Sequence, residues 1–159
     1  MRSKPLADLP MSELTELICS DSVTPGAGAA GALTLALAAA CGGKAVSISL
    51  KHSDDARLHL GLTRFQELRR CALREADGDA QAFAAWVRAQ DAAATDELID
   101  SEERMAQLIN ALVVAIGEVE PFIRPNMLGD LIAAKSLARA AKTIQMTNEA
   151  ETKDDRHSR

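Results

Sequence analysis

Between Ala27 and Gly43 the chain carries no charged residue; it is mostly Ala and Gly, with only three Leu, before Lys44 ends the run. A segment this apolar must be covered. It is too short and too weakly apolar to insert in a bilayer, which needs about 20 strongly apolar residues. The cover must therefore come from the same protein, and the run reads as a central helix buried on most faces. Its small side chains let other backbones approach closely. With 47% hydrophobic residues in 159, the chain has material for one such core. Only Phe65, Phe83, Trp86 and Phe122 are aromatic, so Leu, Ile, Val and Ala must build it. Ala-rich sequence with few β-branched residues favours helix.

The rest of the chain supplies partners for that helix. Leu14, Leu17 and Ile18 mark a short amphipathic helix opening near Ser12. After a loop over 20–25, the Ala-rich helix spans about Gly26 to Leu50. Ser53, followed by Asp54 and Asp55, is an N-cap candidate for a long third helix to about Gln90. Its stripe is Leu58, Leu62, Phe65, Leu68, Ala72, Ala76, Phe83 and Val87. An acidic, Ala-rich linker follows over 91–100, either a loop or itself partly helical. Asp100 and Glu103 resemble a capping box before the stripe Met105, Leu108, Ile109, Leu112, Val113, Ile116 and Val119, which Pro121 ends. A fifth helix is expected from Asn126 to Met146. The predicted fold is thus all-α, a bundle of about five helices in one domain over 1–146. Residues 147–159 read as a charged, disordered tail.

Where the central helix starts, TPGAGAAG (24–31) fits the glycine spacing of a dinucleotide fingerprint. That fingerprint needs a strand before it and an acidic residue about 20 positions on. Here a charged helical segment, MSELTELICS, precedes it, and the position 20 after Gly31 is Lys51. The physics of a helix start remains. Thr24 suits an N-cap and Pro25 the first helical position. The free N–H groups form a positive end where an anion or carbonyl can sit, and Gly26 and Gly28 leave it open. The alternative is that these glycines serve only tight helix packing.

The net charge is −5 with no basic block, so no nucleic-acid partner is expected. Cys19, Cys41 and Cys71 are odd in number and widely spaced, neither a disulfide framework nor a zinc pattern. They read as reduced, buried thiols of a cytoplasmic protein. MRSKPLADLP lacks the apolar run of a signal peptide, and no membrane association is expected.

The segment SVTPGAGAAGALTLALAAACGGKAVSISL (22–50) resembles the signature of the cyclodeaminase/methenyltetrahydrofolate cyclohydrolase family, in which S-x-T-P-G-G-G-S opens a long Ala-rich helix. Two more segments fit in order: EADGDAQAFAAW (75–86) is similar to the family's D-x-D-A-x-A-F, and PNMLGDLIAA (125–134) to its N-P-N-x-x-S-D. The matches run from about residue 9 to 148. The resemblance implies an all-helical homodimer acting on a reduced folate. Cyclodeaminases in it turn 5-formiminotetrahydrofolate into 5,10-methenyltetrahydrofolate and ammonia. Cyclohydrolases in it interconvert 5,10-methenyl- and 10-formyltetrahydrofolate. The chain departs from the pattern at Ala27 and Ala29, which stand for a glycine and the serine of the first motif, and at Gly129, which stands for the serine of the third. The family's Gly-Lys-Lys-x-Tyr segment is replaced by LKHSDD, and the chain has no tyrosine.

Asp79 is the first catalytic candidate. It shares a helix face with Phe65, Ala72, Ala76 and Phe83, where a charge is expensive. Burial would raise its pKa and suit it to acid/base work; otherwise it is a structural carboxylate capping a neighbouring helix. Asp77 lies about 200° round the helix and is expected to face solvent. Asn126 and Asp130 share a face at i, i+4: either they orient a pterin edge or a water, or they are an N-cap and a first-turn acid. Lys51 and His52 could meet a folate glutamate tail, or be a solvated helix end. No metal-ligand spacing is present, so no metal is expected.

The expected function is therefore acid/base chemistry on the one-carbon unit of a tetrahydrofolate derivative, bound as substrate with no permanent cofactor. Asp79, Asn126 and Asp130 would act, and Thr24, Pro25, Gly26, Gly28, Lys51 and His52 would bind. Cyclohydrolase is favoured, since no formiminotransferase domain is attached. The alternatives are a non-folate cyclase or hydrolase on the same scaffold, and a non-catalytic helical dimer.

Overall fold

The computed structural model describes the backbone of residues 4–157 and the side chains of 4–153. Five α-helices are present among the described residues: α1 (Met11–Cys19), α2 (Ala27–Leu50), α3 (Ala56–Ala89), α4 (Ala92–Val119) and α5 (Leu128–His157). The remaining regular structure is short 3₁₀ turns, and no strand occurs there. The all-α expectation holds, with the Ala-rich segment as a core helix.

The helix boundaries differ from the sequence reading in four places. The N-cap of α2 is Gly26, with no side-chain cap bond, so Thr24 and Pro25 lie in the loop before it. The cap of α3 is Asp55 rather than Ser53; its carboxylate accepts the Arg57 N–H at 2.8 Å. Asp91 caps α4 by accepting the Ala94 N–H at 2.9 Å. The acidic linker over 91–100 is therefore the start of α4, and Asp100 and Glu103 lie inside that helix. At the other end, α5 does not stop near Met146 but continues to His157. Its last turns dock through polar bonds: Gln145 Nε2 donates to the Glu102 carbonyl at 2.9 Å, and Thr152 Oγ1 to Glu102 Oε1 at 2.6 Å. Such docking leaves no hydrophobic period to read.

The α2 helix packs on α3 and α5, α3 packs on α4, and α4 packs on α5. Four long helices thus close a bundle with short connections and alternating direction. Its core centres on Leu35, Val46, Leu58, Phe65, Ile109, Leu112 and Leu131, each at most 2% exposed. A Cβ on Gly42 would sit 2.6 Å from the Phe65 ring, so the close approach of α2 to α3 requires glycine there. Buried Ser49 fastens the α4–α5 connection by accepting the Arg124 N–H at 3.1 Å. Two segments, Ala27–Leu50 and Ala92–Phe122, are long and apolar enough to cross a membrane by length and composition; in this fold both contribute buried residues to the bundle core.

The alternating directions decide where the candidate residues go. One end of the bundle gathers the start of α2, the end of α3, the start of α4 and the end of α5. The opposite end gathers the end of α2 and the start of α5. The three thiols are unpaired with one another, and Cys19 is exposed rather than buried, while Cys41 and Cys71 are half-buried.

Candidate active site

The first end of the bundle holds a pocket of about 240 Å³. The loop before α2 and its first turn supply Val23, Thr24, Gly26, Ala27 and Gly28; α3 supplies Asp79, Phe83 and Trp86. The opposite wall comes from Leu98 and Glu102 on α4 and from Asn148, Glu151 and Thr152 on α5. Among the described residues three carboxylates line it and no basic side chain does.

Asp79 sits against the start of α2. A side chain at position 28 would collide with all three terminal atoms of its carboxyl group, so Gly28 is what admits Asp79 to the helix end. The half-buried carboxyl has its pKa raised from 3.8 to about 6. Desolvation by burial is the main cause, and the negative charge of Glu75 adds to it; a hydrogen bond from the Ala29 backbone N–H opposes the rise, and the charge of Glu102 contributes slightly. Asp79 has the burial and the helix-end contact from which the two sequence readings started. It caps α2, which has no cap of its own, and it is a carboxyl poised near neutrality. Beside it, the Phe83 and Trp86 rings lie 5.7 Å apart with 38° between their planes. Phe83 is 37% exposed, leaving part of its surface uncovered.

Of the sequence candidates, Asp79, Thr24, Gly26 and Gly28 meet in this pocket. Pro25 lines a neighbouring cavity instead, together with Thr24 and Asp77. Asp77 is not simply solvated: its Oδ1 accepts the Leu6 N–H at 2.9 Å and ties the N-terminal segment to α3. The other candidates are elsewhere. Asp130 pairs with Lys44 at 3.5 Å, and Lys44 lies about 24 Å along α2 from Gly28 at 1.5 Å per residue. Asn126 sits in the 3₁₀ turn Pro125–Met127 and does not cap α5. Lys51 and His52 are exposed at the C-terminal end of α2, about 35 Å from Gly28 on the same rise. Among the described residues no group of three or more His, Cys, Asp or Glu is arranged to hold a metal.

The sequence matches the formiminotransferase-cyclodeaminase family over residues 10–150, which includes every element of the pocket except Glu151 and Thr152. The chain belongs to that family. Its fold is similar to the crystal structure of formiminotetrahydrofolate cyclodeaminase from Thermotoga maritima, with a TM-score of 0.88 at 18% identity, over 94% of this chain and 81% of that one. None of the curated proteins compared matches it.

The sequence reading of this family member missed Trp86, Leu98, Glu102, Asn148, Glu151 and Thr152. Trp86 was legible, being seven residues after Asp79 and so on its helical face. The others come from α4 and from the end of α5, and only the closed bundle brings them to α3.

Proposed function

We propose that this chain carries out acid/base chemistry on the amidine carbon of a reduced folate, with Asp79 moving the proton. The observation that supports this most is the pocket's lining: a carboxyl with a pKa of about 6, two further carboxylates, an aromatic pair and, among the described residues, no cation. A formimino group is an amidinium at neutral pH, and a methenyl bridge is also a cation. A wall of carboxylates favours either over an anionic group.

In cyclodeamination, N10 of the folate attacks the formimino carbon, and a C–N bond forms. The Asp79 carboxylate takes the N10 proton and returns it to the exocyclic nitrogen, which leaves as ammonia. In the hydrolytic direction, water adds to the methenyl carbon and gives a proton to Asp79; the C–N5 bond then breaks as Asp79 returns that proton to N5, and the remaining hydroxyl proton is lost to solvent as the formyl C=O forms. Both reactions use one carboxyl near neutrality, where general acid and base forms are both populated. Phe83 and Trp86 offer faces on which a pterin can stack. A pocket of about 240 Å³ is below the roughly 300–1,000 Å³ that buries a drug-sized ligand. The glutamate tail then extends outside it, away from the carboxylates.

The chain works as a homodimer in this proposal. Leu128 and Ile132, 39% and 62% exposed, share one face of α5 and would be covered at its interface, while Asp130, two residues from each, lies on another face and pairs with Lys44. From within one protomer Asp130 and Asn126 cannot reach Asp79. The test is the absorbance of 5,10-methenyltetrahydrofolate, followed as it forms from the formimino compound and as it decays, with Asp79→Asn as control. Protein-dependent change that falls about 10²- to 10⁴-fold in the variant supports the reading. No change in either direction, with no heat on titrating reduced folate, removes it.

A further inference from the structure

Glu75 lies one turn before Asp79 on α3, in the i, i+4 relation that puts two side chains on one face about 5–6 Å apart at Cβ. Its carboxylate does not line the pocket. It points to α4, where Ser101 Oγ donates to its Oε1 at 2.7 Å and Arg104 Nε to its Oε2 at 3.2 Å. The Glu75 side chain is 11% exposed, and Ser101 is 2% exposed. Arg104 is also held by Glu97 at 3.5 Å. Ser101 on α4 and Ala76 on α3 are both buried, so the clamp is built into the bundle rather than laid on its surface.

The two carboxyls of α3 therefore have opposite surroundings. Glu75 has two side-chain donors, one of them cationic. Asp79 has the Ala29 N–H and the positive end of α2, and it faces Glu102 across the pocket, with Glu151 of α5 on the same lining. Two carboxyls one turn apart are thus placed unlike one another: Glu75 is held by side-chain donors outside the pocket, and Asp79 faces into it.

We propose that Glu75 is a positioning residue, a carboxylate clamped by Ser101 and Arg104 whose fixed charge selects Asp79 as the carboxyl that carries the proton. This rests on the role of Asp79 proposed above. The charge of Glu75 is the second cause, after burial, of the raised pKa of Asp79, in keeping with the geometry. Glu75→Gln keeps acceptor and shape for the clamp while removing the charge. Arg104→Gln keeps the charge of Glu75 and removes its counterion.

The test is the ¹³C NMR titration of aspartate side-chain carboxyls in the full chain, which needs no substrate, with Asp79→Asn to assign the signal. In Glu75→Gln the Asp79 midpoint falls by about half a unit or more. In Arg104→Gln, which keeps the charge of Glu75, the Asp79 midpoint does not fall. An Asp79 midpoint unmoved in Glu75→Gln overturns the proposal. The acidic limb of the kcat profile should follow the NMR midpoint in Glu75→Gln with KM unchanged, and a limb that stays put also overturns it. If the midpoint moves as expected but the wild-type protein turns over no folate, the folate reading fails and the selection of Asp79 by Glu75 stands.

Discussion

The Asp79 carboxyl occupies the space that a side chain at residue 28 would fill. Glycine at this place in the TPGAGAAG motif is therefore explained by a residue 51 positions later, not by the needs of a phosphate. Gly28→Ala forces the carboxyl off the start of α2. Displacing it should lower turnover by at least about 100-fold, the scale of a lost general acid or base. Overpacking adds about 1–3 kcal/mol of destabilisation. Gly117→Ala is the control: a Cβ there meets nothing within 4 Å, it lies inside α4, and it should gain about 0.5–1 kcal/mol. Urea unfolding of both variants checks the pair.

The raised pKa of Asp79 also fixes how stability changes with pH. In the folded chain the carboxyl keeps its proton up to about pH 6, against an ordinary value of 3.8. Between these values the folded state binds more protons than the unfolded one, so stability falls as pH rises through that window and stays lowered above it. Asp79→Asn removes the penalty while keeping an acceptor for the Ala29 N–H. It should therefore unfold at higher urea than wild type at about pH 7.5, by on the order of 1–3 kcal/mol, and by much less at about pH 4.5. A variant that is less stable at both pH values would mean that the ionised carboxyl is a net stabiliser of α2.

The α3 face was readable in the sequence because it obeys one period: Phe65, Ala72, Ala76, Asp79, Phe83 and Trp86 recur at helical spacing, and the structure puts the pocket on that line. The central helix was readable from charge alone. The far wall was not. Glu102 lies within α4 where a linker had been expected to end, because Asp91 and not Asp100 caps the helix. Asn148, Glu151 and Thr152 sit in a segment whose composition reads as disordered; here it continues α5, with Thr152 bonded to Glu102. Nor does spacing along a chain tell which end of a bundle a residue reaches. Asn126 and Asp130 looked like partners of Asp79 until the helix directions separated them.

Thr152 holds the α5 wall to Glu102 at 2.6 Å. Thr152→Val keeps the shape and removes the donor. It should cost about 0.5–1.5 kcal/mol of stability and leave Glu102 with one less bond. In a pocket that selects a cation, a less anchored Glu102 should raise KM more than it lowers kcat. Steady-state kinetics beside Thr147→Val, whose hydroxyl bonds only within α5, separates this effect from a general loosening of the helix.

Asp130 supplies the test of the second protomer. Its pair with Lys44 is 3.5 Å long, and Lys44 is 62% exposed, so Asp130→Ala should cost under about 1 kcal/mol of stability. Its effect on turnover should be larger if a two-fold homodimer brings Asp130 to the partner's pocket. If Asp130→Ala is then inactive alone, as Asp79→Asn should be, mixing the two creates heterodimers. If Asp130 serves the partner's pocket, each heterodimer contains one site with both residues intact, and activity should return on mixing. Light scattering on the separate variants should give twice the mass of one chain. A monomer, or an Asp130→Ala variant as active as wild type, would confine the chemistry to the pocket at Asp79 and leave Asp130 a surface ion pair.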